Sequence, residues 1–303
     1  MPTFRKRNIH NSFRFPEPNQ IELDNRRIKL PKLGWIGFHK SQPILGKLRN
    51  VTISKDGTHW VVSIQVEQQI STKANGSTTA IGIDLGITKF AAFSDGSHID
   101  GPSSFKKHQD KLAKEQRKLA KKIKFSSNWK KQKAKITKLH SRIAHVRKDF
   151  LHKSSTEICK SHAMIVVEDL KINNMSKSAK GTIEAPGKNV KAKSGLNRSI
   201  LDQGWGEFRR QLEYKSKWLG GVFVKVPPKD TSLTCHRCKH KDKQNRLTQE
   251  GFACTCCGYT ANADFNAACN ILAAGHAVLA CGEGALAPFV KQEPLRNRER
   301  LVA

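Results

Sequence analysis

Two cysteine pairs near the C-terminal end constrain the fold of this chain more than any other feature. Two residues separate Cys235 from Cys238 and Cys254 from Cys257, and fifteen residues lie between the pairs. This spacing is typical of a zinc site, because each two-residue gap lets both thiolates of a tight turn face one tetrahedral ion. We therefore expect a structural zinc ion with four sulfur ligands and no open position for chemistry.

The residues around these pairs leave alternatives open for the ligand set. Cys256 is not expected to be a zinc ligand, because pairing it with Cys254 would leave only one residue between the two ligands. His236 and His240 could replace a cysteine as ligands, although we expect both to face solvent. Gly258 gives the second turn backbone freedom, and Lys239 stands at the equivalent place of the first. The remaining cysteines are expected to be small buried residues: Cys159, Cys269 and Cys281.

The charge of the chain points to a polyanionic partner. Lys and Arg number 55 against 25 Asp and Glu, which gives a formal net charge of +30 over 303 residues, and 37% hydrophobic residues suffice for a sizeable core. No apolar run approaches the ~20 residues of a membrane span, and the N-terminus lacks the apolar stretch of a secretory signal. We expect a cytoplasmic protein with no membrane partner.

About half of the net charge lies between residues 105 and 160, where 19 Lys and Arg stand against 4 Asp and Glu. An apolar stripe at helical spacing predicts a long basic helix: Ile136, Leu139, Ile143, Val146 and Phe150. Leu112, Leu119 and Ile123 predict a preceding helix, with a break at 126–129. Such a surface suits the phosphate backbone of a nucleic acid, although many of these lysines simply face solvent.

The rest of the chain alternates strands and helices. Short β-rich runs fill 20–70, with a hairpin turn at Asp56-Gly57, and predict a small antiparallel barrel or sheet. The stretch 80–99 reads as three strands, and 163–172 as a buried strand. A polar segment over 173–199 predicts a mobile loop, followed by one helix through Leu201 and Leu212.

Three acidic residues stand in unusual places. Asp84 lies inside the apolar run AIGIDLGI, where an unpaired carboxylate would be costly to bury, and Glu168 closes the apolar run MIVVE. Asp264 opens an apolar helix, where helix capping would explain it alone. If the three converge, they need a cation between them, and oxygen ligands suit Mg²⁺ or Mn²⁺. Two such ions can activate water against a phosphodiester.

Five motifs in this order resemble the TnpB family of OrfB-type, transposon-encoded RNA-guided DNA endonucleases, which are related to type V CRISPR effectors. The motifs are GIDLGI, VVEDLKI, TSLTCHRC, FACTCCGY and NADFNAACNI. The resemblance implies an α/β fold with an RNase H-like (RuvC) nuclease domain, and it makes Asp84, Glu168 and Asp264 the catalytic acids that bind magnesium. It also implies two partners, DNA and a guide RNA derived from the transposon end.

By the same resemblance, the chain divides into five segments. These are a partial wedge β-barrel (1–72), a RuvC-like domain (73–230) with a basic helical insertion (105–160), a zinc ribbon (231–260), a RuvC motif III helix (261–280) and a flexible C-terminal tail (281–303). Family members normally carry roughly another hundred residues at the N-terminus, so this chain is expected to be a shortened member. The alternatives are a nucleic-acid-binding remnant or accessory protein without guided cleavage, and a transposase proper.

Overall fold

In a computed structural model, which describes residues 11–69, 75–228 and 230–281, the chain is a mixed α/β protein with two compact units. Of the described residues, 11–69 and 110–142 belong to the first unit, and the rest belong to the second. Each unit has its own hydrophobic core.

The first unit contains two three-stranded antiparallel sheets. Its strands are β1 (Ser12–Phe15), β2 (Glu22–Leu23), β3 (Arg27–Leu30), β4 (Gly34–Gly37), β5 (Lys47–Asp56) and β6 (His59–Glu67), with a 3₁₀ turn at Pro18–Gln20. One sheet has the order β1-β5-β6 and the other β2-β3-β4. Side chains from both sheets, including Ile28, Val51 and Ile64, share one core. The predicted turn at Asp56-Gly57 is confirmed, since it joins β5 to β6.

Two basic helices follow the predicted pattern only in part. They are α1 (Ser104–Ala120) and α2 (Ser127–Ser161), and the break between them lies at 121–126, earlier than predicted. Ile123 therefore lies outside α1, and Val146 is exposed. After Ile143, the buried residues of α2 are Leu151 and Ile158, which pack in the core of the second unit. The buried face of the helix therefore does not include Val146.

The second unit is built on one five-stranded mixed sheet. Its strands are β7 (Ala80–Asp84), β8 (Ala91–Phe93), β9 (His98–Ile99), β10 (Met164–Glu168) and β11 (Val222–Val226), in the order β11-β10-β7-β8-β9. The three strands β7, β10 and β11 run parallel, while β7, β8 and β9 pair antiparallel. The predicted strands over 80–99 are confirmed. The strand predicted over 163–172 is confirmed at Met164–Glu168 but ends earlier than predicted, because α3 begins at Ile172.

Helices cover both faces of this sheet. They are α3 (Ile172–Met175), α4 (Val190–Gln203), α5 (Trp205–Trp218) and α6 (Ala263–Ala280). On one face, Ile83 of β7 and Val167 of β10 pack in a core with Phe208 and Leu212 of α5. On the other face, Val166 packs with Ile271 of α6.

Helix α6 approaches the sheet unusually closely. A Cβ atom added at Gly82 would lie 2.3 Å from the backbone oxygen of Ala268, and one added at Gly275 would lie 2.4 Å from a methyl carbon of Val166. Real side chains do not tolerate such distances, so glycine is required at both positions for α6 to lie at this depth.

Two predictions about the region before β11 were wrong. The polar segment 173–199 is not one loop, because it contains the first ten of the fourteen residues of α4. The helix predicted through Leu201 and Leu212 is in fact two helices, because Gly204 between them has a φ of 72° and ends α4 in a left-handed conformation.

The segment with the cysteine pairs forms a small two-stranded ribbon. Its strands are β12 (Gly251–Ala253) and β13 (Thr260–Asn262), and a 3₁₀ turn at Lys243–Asn245 precedes them. The predicted C-terminal tail, 281–303, lies outside the described residues apart from Cys281. Among the helices that the structure describes, none combines the length and the apolar character needed to cross a membrane.

Substituting Gly82 by alanine should destabilise the second unit strongly, because the new methyl group would collide with the backbone of α6. We expect Gly82→Ala to lower the free energy of unfolding by about 3 kcal/mol. The matched control is Gly195→Ala in α4, where an added Cβ meets nothing within 4 Å and alanine should stabilise by about 0.5–1 kcal/mol. Urea unfolding of both variants measures the difference, and equal effects would contradict this account of the α6 contact.

Candidate active site and candidate metal centre

Two of the three candidate acids end neighbouring parallel strands. Asp84 is the last residue of β7 and Glu168 the last of β10, and the register pairs Ile83 with Val167 immediately before them. Side chains alternate between the faces of a strand, so both acids lie on the α6 face of the sheet. The adjacent Asp169 is separate from them, since its carboxylate pairs with Arg209 at 2.8 Å.

Asp264 is the second residue of α6, but it is not the helix cap. Asn262 caps the helix, because its side-chain oxygen accepts hydrogen bonds from the backbone N–H groups of Asp264 (3.0 Å) and Phe265 (3.3 Å). The capping explanation for Asp264 is therefore wrong. Its carboxylate remains available for another role at the N-terminal end of α6.

The three carboxylates come close enough to act on one another. Burial, followed by the negative charges of Glu168 and Asp264, raises the pKa of Asp84 to about 7. Burial also raises the pKa of Glu168, against a hydrogen bond of 2.5 Å that the Thr231 hydroxyl donates to its Oε1. A cluster of acids in this state favours a bound cation or a proton.

A basic side chain missed by sequence reasoning lies among these acids. Arg246 belongs to the segment between the two cysteine pairs, and its Nη2 lies 3.5 Å from Oδ1 of Asp264. Its positive charge opposes the rise in the pKa of Asp84. The same nitrogen donates a hydrogen bond of 2.8 Å to the backbone oxygen of Gln249. Arg246 follows no periodic pattern, so only the folded ribbon reveals its position.

Two asparagines of α6 hold the first cysteine turn against the helix. Asn270 donates hydrogen bonds to the backbone oxygens of Thr231 (3.0 Å) and Thr234 (2.6 Å). Asn266 donates to Thr234 at 2.8 Å and accepts from the backbone N–H of His236 at 2.9 Å. These contacts place Thr231 beside Glu168. The sequence could have indicated these hydrogen bonds, because two asparagines four residues apart on an apolar helix are costly to bury unless both are hydrogen-bonded.

The four cysteines of the ribbon meet at one point. Their sulfur atoms all lie within 4.8 Å of one another, with 3.8 Å between Cys235 and Cys257 and 3.5 Å between Cys238 and Cys254. Sulfurs around a tetrahedral ion with bonds of about 2.3 Å would lie about 3.8 Å apart. The four side chains are suited to hold one metal ion.

The other cysteines and histidines stand outside this cluster. Among the described residues, these four cysteines form the one group whose ligand atoms all lie within 4.8 Å of one another. The carboxylates of Asp84, Glu168 and Asp264 interact through their charges but are more widely spaced than this. His236 does not face solvent as predicted, because its ring packs 4.7 Å from that of Tyr259. His240 and Cys256 are exposed.

The isolated cysteines differ from one another. Cys159 is fully buried as predicted, and burial raises the pKa of its thiol to about 12. Cys269 is half-buried and Cys281 is exposed, so the prediction of a buried residue is wrong for Cys281.

Comparison with known proteins identifies the family. Residues 63–179 match the OrfB_IS605 model, described as "Probable transposase", and residues 205–271 match the Cas12f1-like TNB domain. The chain is 54% identical over 294 residues to "Putative RNA-guided DNA endonuclease InsQ" of Escherichia coli (strain K12), which covers 97% of this chain and 73% of the relative. The chain belongs to the TnpB family.

More distant relatives agree with this assignment. A Streptomyces pristinaespiralis member of the family, whose name also describes an RNA-guided DNA endonuclease, is 37% identical over 258 residues, and the match covers 81% of this chain and 60% of the relative. The cryo-EM structure of a Cas12f1–sgRNA–target DNA complex shares the fold, with a TM-score of 0.50 and 19% identity over 74% of this chain and 45% of that one. The chain is thus shorter than each of these TnpB-family and Cas12f1 proteins.

The raised pKa of Asp84 predicts a stability that falls with rising pH. Between the usual value of 3.8 and about 7, the folded protein binds more protons than the unfolded chain, so its stability decreases as pH rises through this window. In the presence of a chelator, Asp84→Asn should therefore be more stable than the wild type at pH 8, by about 4 kcal/mol, and gain little at pH 4. Thermal unfolding at both pH values tests this, with Asp100→Asn at an exposed position as control.

Lys239 and Gly258 occupy equivalent left-handed positions, with φ values of 62° and 69°. Glycine adopts this conformation without strain and lysine does not. Lys239→Gly should raise the stability of the ribbon by about 1 kcal/mol, and Gly258→Lys should lower it by a similar amount. A Cβ at Gly258 meets nothing within 4 Å, so the comparison isolates backbone strain. Melting curves that shift in the same direction for both variants would refute this explanation.

Proposed function

We propose that this chain is an RNA-guided, metal-dependent DNA endonuclease of a transposon. The observation that carries the proposal is the placement of Asp84 and Glu168 at the ends of adjacent parallel strands, on the sheet face that α6 covers, with Asp264 in the first turn of α6. Burial, and then the negative charges of Glu168 and Asp264, raise the pKa of Asp84. The names of the E. coli and Streptomyces relatives support the same activity.

The second unit suits a nuclease of the RNase H-like (RuvC) class. Three antiparallel strands followed by two parallel ones, in the order β11-β10-β7-β8-β9, match the sheet of that fold. The domain assignment proposed here follows from it: a wedge domain over 1–72, a nuclease domain over 73–230 with basic helices inserted at 105–160, a zinc ribbon over 231–260, and the third nuclease motif on α6.

The three carboxylates fit Mg²⁺ or Mn²⁺, because these ions prefer oxygen ligands and would relieve the repulsion among the acids. When bound, such ions activate a water molecule and stabilise the leaving oxygen of a phosphodiester. The chain's own residues prepare that site. Asp84 and Glu168 project from a rigid sheet, Asp264 projects from α6, and the Thr231 hydroxyl orients Glu168 through its hydrogen bond.

Arg246 has a supporting role in this proposal. Its guanidinium balances part of the negative charge of the cluster and lies beside Asp264, with its side chain 23% exposed. A guanidinium at that place can also bind a phosphate oxygen of the DNA strand. It would therefore orient the strand toward the acids.

The four cysteines are assigned to a structural zinc ion. Their shell is all sulfur and closed, which is the arrangement of structural rather than catalytic zinc. The ribbon joins Thr231 and Arg246 to α6, so an ion in the cysteine cluster would stabilise two side chains that contact the acids.

The basic helices provide a surface for the guide RNA and its DNA target. The segment 105–160 carries half of the net charge of +30, and cations of this density bind phosphate backbones by releasing counterions. In a guided nuclease of this kind, base pairing reads the target sequence and the protein holds the heteroduplex by its backbone. The chain therefore requires an RNA derived from the transposon end for activity.

Cleavage by an Asp84 variant tests the proposal directly. The chain should be co-expressed with the RNA encoded at the end of its transposon and mixed with plasmid carrying the matching target. We expect cleavage with Mg²⁺ or Mn²⁺, none with a chelator, and a loss of more than about 100-fold in Asp84→Ala with unchanged RNA binding. Asp100→Ala, at an exposed position, should cleave like the wild type.

The alternative is a nucleic-acid-binding remnant or accessory protein of the transposon. RNA that co-purifies with the chain but supports no cleavage by the wild type would favour it. Full activity in Asp84→Ala would instead refute the assignment of the acids, and strand joining in addition to cleavage would favour a transposase.

A further inference from the structure

We propose that the connection between α1 and α2, together with the first turn of α2, is a stacking site for an exposed nucleobase at a duplex end or an unpaired position. We call residues 121–129 the hairpin tip. All of these residues belong to the first unit, whereas the acids and cysteines described above belong to the second. Base stacking at the hairpin tip therefore does not involve the three acids.

Apolar and aromatic side chains project from the hairpin tip into solvent. Ile123 is 83% exposed and Phe125 is 65% exposed. The ring of Phe125 lies 5.5 Å from that of Trp129 with an interplanar angle of 58°. Folding normally buries side chains of this kind, so a cluster of them exposed between two helices suits contact with a flat apolar surface.

The backbone holds Phe125 outward at an energetic cost. Phe125 has a φ of 69°, which is an uncommon conformation for a bulky residue and costs on the order of 1–3 kcal/mol. A simple helix connection does not need an aromatic residue here, since glycine or asparagine would adopt the same conformation with less strain. Strain retained at an exposed residue favours a role in binding.

Hydrogen bonds make the hairpin tip a fixed platform. Ser126 donates its backbone N–H to the oxygen of Ile123 at 3.2 Å, and its hydroxyl oxygen accepts from the backbone N–H of Trp129 at 3.1 Å. Gln132, just beyond the tip, donates to the backbone oxygen of Glu115 at 3.0 Å and to its Oε2 at 2.7 Å. These bonds join α1 to α2 and reduce the entropy that binding would otherwise cost.

The positive charge around the rings of Phe125 and Trp129 favours binding of a polyanion. Between residues 121 and 135 there is no acidic residue, and there are seven lysines: Lys121, Lys122, Lys124, Lys130, Lys131, Lys133 and Lys135. The ammonium of Lys124 lies 5.2 Å from the ring centre of Phe125, and that of Lys133 lies 5.1 Å from that of Trp129. Rings that stack on a base, next to cations that bind its phosphates, are the two components of nucleic-acid binding without sequence preference.

The cost of unstacking bases restricts which bases the hairpin tip can contact. Entering a continuous stack requires unstacking a base step, which costs a few kcal/mol. A terminal base pair or an unpaired base presents its face without that cost. We therefore expect the hairpin tip to prefer nucleic acid with open ends over the same duplex with closed ends.

The test uses the full chain in the Asp84→Ala background, so that binding is measured without cleavage. One duplex carries 2-aminopurine at a blunt end, and a matched duplex has both ends closed by hexaethylene glycol linkers. We expect tighter binding to the open duplex and a change in 2-aminopurine fluorescence on binding. Phe125→Ala should lower affinity for the open duplex between about 5- and 150-fold, with little change for the closed one.

Variants separate stacking from charge. Phe125→Ala should leave the dependence of affinity on salt unchanged, whereas Lys121→Gln with Lys124→Gln should reduce its slope for both duplexes. Trp60→Ala is the matched control, because Trp60 is also an exposed ring, with the ammonium of Lys55 6.0 Å from its centre. It should not alter the preference for open ends.

Phe125→Gly shows whether weaker binding comes from loss of the ring or from loss of the folded state. Glycine relieves the strained φ, so this variant should melt at a higher temperature than the wild type and yet lose the preference for open ends. Equal affinity of the starting protein for open and closed duplexes would overturn the proposal. So would an unchanged preference in Phe125→Gly. Either result would leave the proposed nuclease function standing, because that function is tested by cleavage.

Discussion

The candidate site depends on one constraint: two parallel strands end in carboxylates beneath a helix that almost touches the sheet. The alternation of side chains places Asp84 and Glu168 on the face that α6 covers. Burial there disfavours their ionised forms and makes a cation the natural partner of the cluster. The remaining parts of the site, including the ribbon and Arg246, arrange charge around these two positions.

The ribbon connects the cysteine cluster to the acids by a short path. It begins beside Thr231, which hydrogen-bonds Glu168, and it ends in the Asn262 cap of the helix that carries Asp264. Arg246 lies between these points and contacts Asp264. The segment that contains the four cysteines therefore contacts two of the three acids.

Much of this arrangement could be predicted from the sequence. The apolar runs ending in Asp84 and Glu168 predict buried strands, and the regular cysteine spacing predicts one metal cluster, because both depend on local pattern. The position of Arg246 depends on how the chain folds between the two cysteine pairs, which no periodicity encodes. The split at Gly204 was missed for a related reason, since the apolar spacing continues across it while the backbone conformation does not. The exposure of Val146 reflects a change in which face of α2 is buried.

The missing side chains of Gly82 and Gly275 have a consequence for how the acids are spaced. With α6 drawn against the sheet at both positions, the aspartate in the first turn of the helix and the one at the end of β7 lie close enough for their charges to interact. A longer side chain at either glycine would lift the helix, and the gap between the carboxylates would widen with it. The lack of a side chain at Gly82 and Gly275 therefore sets the spacing of the acids. Natural variation in this family should be more restricted at these two glycines than at many residues that contact the acids themselves.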